Sequence, residues 1–87
     1  MLKPHSKNKF EKDVEKMKKR GKDLRKLQAV MLALIEQKPL AIKHKDHSLK
    51  GNDCRECHIE PDWLLIYLID GNSITFVRTG THSDLFK

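Results

Sequence analysis

The sequence contains no long hydrophobic segment, and its apolar runs are far shorter than the roughly 20 residues that a membrane-spanning helix needs. Residues 1–9 carry positive charges with no apolar segment behind them, so we expect no secretory signal and no membrane partner. Only two cysteines are present. Together with the missing export signal, they predict a cytoplasmic protein without a disulfide framework.

Positive charge, in contrast, is present in excess. The 87 residues include 18 Lys and Arg against 12 Asp and Glu, which gives a formal net charge of +6. The excess lies mainly in residues 3–50, and this uneven distribution favours a nucleic-acid partner over a charge that serves solubility alone. A chain of this length is expected to form one domain, residues 1–87, with a single modest core.

Apolar residues recur at helical spacing in two segments and predict helices over about 6–20 and 23–37. Ser6 and Asp23 can cap the two N-termini, and Pro39 ends the second helix because the residue before a proline disfavours helical backbone. The apolar stripes consist of Phe10, Val14 and Met17, and of Leu24, Leu27, Met31, Leu34 and Ile35. Only a short connection separates the two helices, which predicts that they form an antiparallel helical hairpin. This hairpin needs a sheet to cover its apolar stripes.

The remaining predicted elements are strands. The apolar run 63–69 is rich in strand formers, and the turn residues 70–73 separate it from a second strand, so the two form a hairpin. Residues 40–52 are predicted to be an irregular basic loop. Strands are expected over about 1–5 (at an edge), 53–60, 62–70 and 73–80. The fold class is therefore α+β, with the helical hairpin packed on a small, mostly antiparallel sheet in the order β-α-α-β-β-β.

Polar side chains collect at one end of the predicted hairpin. His58, Glu60 and Asp62 precede its first strand, and Arg78 and His82 follow at the end of its second. Because the turn reverses the chain, antiparallel pairing brings these two ends together. Imidazoles, carboxylates and a guanidinium over an apolar base suit acid–base chemistry on an anionic substrate.

Three motifs follow one another in this half of the chain. They are K-D-H-x-L-x-G from Lys45, H-x-x-P-D-x-x-L-x-Y from His58 and R-x-G-x-H-x-x-L-F from Arg78. In this combination they resemble the YafQ-like branch of the RelE toxin superfamily, the toxins of bacterial type II toxin–antitoxin pairs. The resemblance covers essentially the whole chain. The connection between Gly51 and Arg55 is shorter than the family's, which affects the expected position of the loop before His58.

The resemblance implies a RelE-like fold and a metal-independent endoribonuclease that cuts messenger RNA in the ribosomal A site without a cofactor. It also implies an antitoxin partner that wraps and inactivates the toxin, with DNA contacted only indirectly through that antitoxin. By position, the family's functional residues fall on His47, His58, Asp62, Arg78, His82 and Phe86. Further substrate-binding residues are predicted at Lys45, Lys50 and Arg55.

Cleavage of RNA through its own 2′-hydroxyl requires a base, stabilisation of charge on phosphorus and an acid for the leaving 5′-oxygen. We predict that His58, or Asp62 acting with it, is the base. Arg78 would stabilise the phosphorane and His82 would be the acid. His47 would position the phosphate.

Phe86 is predicted to stack on a base or to orient a catalytic ring. Taken singly, each of these positions also suits an ordinary surface or strand-end residue, so a non-catalytic RNA- or antitoxin-binding protein of the same fold is the alternative. A redox or metal protein is a third reading, because Cys54-Arg55-Glu56-Cys57-His58 matches the haem-attachment string and His47 could complete a zinc site. Haem attachment of this kind belongs to exported proteins, and a strand directs cysteines three apart to opposite faces. We therefore predict no metal site.

Overall fold

Two helices pack against one face of a five-stranded mixed sheet. The computed structural model describes residues 1–49, 51 and 53–86, so the predicted substrate-binding residue Lys50 lies outside the described residues. The elements are β1 (Lys3–Ser6), α1 (Asn8–Lys19), α2 (Leu24–Ile35), a 3₁₀ turn (Ile42–His44), β2 (His47–Ser48), β3 (Arg55–Glu60), β4 (Trp63–Asp70), β5 (Ser73–Gly80) and α3 (His82–Leu85). The α+β fold class is confirmed. In the described part of the chain, no helix combines the length and the apolar character needed to cross a membrane.

The strands lie in the order β1-β5-β4-β3-β2. The pairs β2–β3, β3–β4 and β4–β5 are antiparallel. β1 lies at one edge of the sheet, as predicted for the N-terminal strand, and it runs parallel to β5. The opposite edge is β2, which sequence reasoning placed inside an irregular loop. A strand of two residues is too short to show the alternation by which strands are recognised.

One of the two predicted helix caps is present. The Asp23 side chain accepts a hydrogen bond from the backbone N–H of Arg25 at 3.0 Å. The predicted cap at Ser6 is wrong, because β1 continues through Ser6, which pairs with Phe76, and Lys7 takes the cap position without a side-chain hydrogen bond. The strand therefore extends to within two residues of the helix that follows it.

Alternation along β4 divides its side chains between the two faces of the sheet. Trp63, Leu65 and Tyr67 join the core beneath the helices, and each large side chain buried there contributes roughly 1.5–3 kcal/mol. Leu64 and Ile66 point to the other face and are also buried, at 0% and 8% exposure. They form an apolar base on the face away from the helices.

Candidate active site

Three predicted site histidines lie side by side on the face of the sheet that the helices leave open. The His58 ring centre is 6.5 Å from that of His47 and 5.9 Å from that of His82. Strand pairing places His58 beside Leu64 in the apolar base, and His47 opposite Glu56 on β3. β2, β3 and the start of α3 thus each contribute one imidazole to a single row.

A buried carboxylate lies between two of these histidines. Glu56 is 6% exposed, and its Oε1 atom is 3.6 Å from Nε2 of His58 and 3.9 Å from Nε2 of His47. These are ion-pair distances rather than hydrogen bonds, and the carboxylate attracts the positive charge of an imidazolium on either side. Sequence reasoning assigned no role to Glu56. The available signal was its position two residues before His58, which puts both side chains on one strand face.

The histidine rings are oriented by backbone carbonyls. Nδ1 of His47 lies 2.6 Å from the carbonyl oxygen of Lys45, and Nδ1 of His58 lies 3.2 Å from that of Pro61. A carbonyl oxygen only accepts, so each Nδ1 carries the proton and donates. The Nε2 atom of each ring is therefore left for acid–base chemistry on the open face.

Asp62 orients the third histidine. Its Oδ1 atom accepts hydrogen bonds from the backbone N–H of His82 at 2.9 Å and from Nδ1 of the same residue at 2.5 Å. The backbone bond, and then the ring bond, hold the pKa of Asp62 below its ordinary value, so this carboxyl stays ionised. Both hydrogen bonds described for the Asp62 carboxylate thus come from His82, and neither comes from His58.

Arg78 is held by a carboxylate on α1. Nε and Nη2 of Arg78 donate to the two oxygens of Asp13 at 2.6 and 3.1 Å, and this pairing raises the pKa of the guanidinium. Oδ2 of Asp13 also accepts the backbone N–H of Thr79 at 3.1 Å. The pairing of β1 with β5 ends at Phe76, so Asp13 satisfies a strand amide beyond the end of β1.

Asp13 was not singled out from the sequence, where it is one of many charged residues in α1. Strand pairing sets Arg78 beside Ile66, in line with Glu56 on the other side of β4. The register therefore places Arg78 on the same sheet face as the row of histidines. Its positive charge is fixed in place by Asp13 and is partly balanced by it.

A second carboxylate positions the helix that carries His82. Asp84 forms a capping box with Thr81 at the start of α3 and an ion pair with Arg20, whose Nη1 lies 2.6 Å from Oδ2. The Arg20 hydrogen bond is the largest reason why the pKa of Asp84 lies far below its ordinary value. A Cβ on Gly80 would lie 3.0 Å from Asp84, so glycine allows this close approach. Sequence reasoning missed both Asp84 and Arg20.

The predicted substrate-binding residues are not all placed together. Phe86 follows α3 and is 51% exposed, so its ring is accessible near His82. Lys45 contributes its carbonyl oxygen to the orientation of His47. Strand pairing puts Arg55 opposite Tyr67, on the sheet face away from the histidine row.

The cysteines do not form a site with the histidines. Cys57 is fully buried in the core, and burial raises the pKa of its thiol to about 12, whereas His58 points to the other face. Cys54 precedes β3, so the predicted placement of both cysteines within one strand is not met. In residues 1–49, 51 and 53–86, no group of three or more His, Cys, Asp or Glu side chains is arranged to hold a metal ion.

The family model described as the bacterial toxin of the type II toxin–antitoxin system, YafQ, matches residues 2–87. The chain belongs to the YafQ toxin family. The mRNA interferase toxin YafQ of Escherichia coli strain K12 is 45% identical over 80 residues, which cover 88% of this chain and 87% of that protein.

Solved toxin structures share the whole fold of this chain. The E. coli DinJ–YafQ complex contains a chain that is 40% identical, covers 100% of both chains and superposes with a TM-score of 0.94. A metal-bound toxin from Helicobacter pylori is 47% identical, covers 99% of this chain and 100% of that one, and superposes with a TM-score of 0.93. The resemblance seen in the three motifs is confirmed, and so is the RelE-like fold that it implied.

Proposed function

We propose that this toxin is an mRNA interferase, an endoribonuclease that cleaves messenger RNA in the ribosomal A site and so inhibits translation. The observation that carries the proposal is the row of three imidazoles, with neighbouring ring centres 6.5 and 5.9 Å apart. Arg78, which Asp13 holds, lies on the same sheet face by strand register. The 45% identity to an E. coli mRNA interferase supports it. The charge of +6 suits a polyanionic partner.

In the proposed mechanism, one histidine removes the proton of the attacking hydroxyl and another donates a proton to the leaving oxygen. Nε2 of His58 takes the proton from the 2′-hydroxyl, whose oxygen attacks phosphorus while the bond to the 5′-oxygen breaks. Nε2 of His82 donates a proton to that leaving oxygen, giving a 2′,3′-cyclic phosphate and a 5′-hydroxyl. Asp62 is assigned to His82, because both of its described hydrogen bonds come from that residue and its negative charge stabilises the imidazolium.

Charge that develops on phosphorus is stabilised by Arg78, which Asp13 holds in a fixed orientation, and by His47. Phe86 offers an exposed aromatic face on which a base of the messenger can stack. Lys45 and Lys50 add positive charge for phosphate contacts. Arg55 lies opposite Tyr67 on the other sheet face, so we assign it no contact with the substrate.

We propose that cleavage needs no metal ion, since imidazoles and a guanidinium supply the base, the acid and the positive charge. A related toxin from H. pylori has been solved with metal bound, and treatment with EDTA tests whether this chain needs a metal ion for cleavage. Full activity after treatment with EDTA supports the proposal. Activity that is lost with EDTA and restored by a divalent metal contradicts it.

We also propose an antitoxin partner that covers the toxin and carries the contacts to DNA. The solved E. coli complex joins a related YafQ chain to DinJ, which supports a partner of this kind. Co-expression with the product of a neighbouring small gene should yield a stable complex and suppress growth inhibition. A toxin that inhibits growth equally in the presence of that product contradicts this assignment.

The deciding experiment is cleavage of a defined messenger by purified toxin, with and without programmed ribosomes, for wild type and His82→Ala. Cleavage on ribosomes that the substitution abolishes supports the proposal, and a 2′-deoxy nucleotide at the cleaved position should prevent it. Cleavage of that deoxy substrate at an equal rate would rule out the 2′-hydroxyl mechanism. Binding to RNA without cleavage under either condition would make the chain a non-catalytic member of its family.

A further inference from the structure

The position of His47 is not secured by its own packing. It lies in the two-residue strand β2 at the edge of the sheet, and half of its side chain, 50%, is exposed. Lys45, two residues before it, has a φ of 47°, in the left-handed region that residues other than glycine rarely adopt. Such a backbone persists only where surrounding contacts hold it.

Those contacts come from β3 and β4. The Tyr67 hydroxyl donates to Oδ1 of Asp46 at 2.5 Å, and Nε of Arg55 donates to the same oxygen at 3.4 Å. Nη1 of Arg55 donates to Oγ of Ser48 at 2.9 Å. Asp46 and Ser48 are the residues on either side of His47, so the segment is held at both ends.

The Tyr67 hydroxyl does more than fill the core. Tyr67 is 1% exposed, and a phenylalanine would occupy almost the same space among the helix-facing residues. Burial, together with the hydrogen bond to Asp46, raises the pKa of Tyr67 well above its ordinary value, so the hydroxyl keeps the proton that it donates. The hydroxyl of this core residue thus stabilises the segment around His47 rather than the packing of the core.

We propose that Tyr67, Asp46 and Arg55 form a clamp that positions His47 in the active site. The proposal rests on the function proposed above and deepens it. Tyr67 and Arg55 are positioning residues that act through His47 from the opposite face of the sheet. Arg55, predicted from sequence to bind substrate, instead donates its described hydrogen bonds to Asp46, Ser48 and Tyr67.

The first test follows the His47 ring directly in the full chain. Long-range ¹H–¹⁵N spectra of the imidazoles report whether the proton of His47 is on Nδ1, where the structure has it donating to the Lys45 carbonyl. We expect Tyr67→Phe to mix the two tautomers of His47 and to leave His82, which Asp62 holds, unchanged. Unchanged His47 signals overturn the clamp, and this result is obtained whether or not the protein cuts RNA.

The second test measures single-turnover cleavage of a messenger on programmed ribosomes. We expect Tyr67→Phe to lower the rate at saturation roughly tenfold or more, with ribosome affinity unchanged, because a misplaced catalytic group slows chemistry rather than binding. The matched control is Ile74→Val, which removes a buried methylene at the far end of β5. A rate equal to that of the control overturns the proposal.

A double-mutant cycle then separates positioning from general destabilisation. If Tyr67 acts through His47, Tyr67→Phe causes no further loss of cleavage rate in a His47→Ala variant. If Tyr67→Phe lowers the rate by the same factor in wild type and in His47→Ala, the clamp is contradicted. Asp46→Asn keeps an acceptor for the Tyr67 hydroxyl and should retain more activity than Asp46→Ala. If Tyr67→Phe fails to fold, these two variants at the exposed end of the clamp are judged by the same tautomer and rate criteria.

Discussion

Glu56 shows how much a single side chain contributes to this site. A glutamate buried to 6% exposure is rare unless it is paired, and here one oxygen of its side chain lies within ion-pair distance of two histidines. In the proposed mechanism, this carboxylate stabilises the positive charge on His58 once that ring has taken a proton.

We therefore expect Glu56→Gln to keep the fold and lower ribosomal cleavage roughly tenfold, which corresponds to about 1.4 kcal/mol of lost transition-state stabilisation. The control is Glu60→Gln on the same strand, whose carboxylate pairs with Lys22 and Lys26 instead. The cleavage rates of both variants measure the contribution of the Glu56 charge, and thermal unfolding checks that both variants fold. Equal rates in the two variants would show that the charge of Glu56 is unimportant.

The motifs that carry the family resemblance predicted His47, His58 and His82, with Asp62, as site residues. They did not indicate the carboxylate that holds Arg78. The partner of Arg78 lies 65 positions away, and nothing near Asp13 distinguishes it from the other charged residues of its helix. Pairings of this kind become visible only when packing brings the two elements together.

At the scale of elements, α1 supports the site from the edge of the sheet. Asp13→Ala leaves the Arg78 guanidinium and the Thr79 amide without their partner, and we expect it to lower the free energy of unfolding by about 1–3 kcal/mol. Chemical denaturation of the variant measures this loss. Glu11→Ala on the same helix, an exposed residue, is the control and should change stability by less than about 0.5 kcal/mol.

The contact between α1 and α3 should appear in the pH dependence of stability. The pKa of Asp84 is far below the value of about 3.9 expected in the unfolded chain, so its contribution is complete above that value and is lost as the pH falls through the folded pKa. We expect Asp84→Asn to lower Tm at neutral pH and to approach wild type below about pH 3. A Tm difference that is constant from neutral pH to about pH 2 would contradict this.

Element prediction succeeded where periodicity was long and failed where it was short. The eight-residue strands β4 and β5 and both long helices follow clear patterns. β2 has two residues, too few for a pattern, and Ser6 satisfied the rule for a helix cap while belonging to a strand. In both cases pairing with a neighbouring strand decided the structure, and local preference did not.

At the scale of the whole molecule, the net charge of +6 should govern the encounter with the ribosome. Cleavage below saturation should fall steeply with salt, whereas the rate at saturation should hardly change. Replacing the exposed residues Lys12 and Lys19 by Gln should reduce the slope of log(kcat/KM) against log[salt] by roughly one to two units. Glu11→Gln on the same helix is the matched control and should not reduce it. A slope that is unchanged in the lysine variant would place the contact elsewhere.

One face of α1 links parts of the site that are far apart in the chain. Asp13, Lys16 and Arg20 lie at helical spacing, and through them α1 bonds to Arg78 on β5 and to Asp84 on α3. The helix, the end of β5 and α3 should therefore open as one cooperative unit in the native state. Backbone amides of α3, too short to be stable alone, should then exchange with solvent as slowly as those of α1. His82, the proposed acid, would then owe its rigidity to a helix that contributes no residue to the row of histidines.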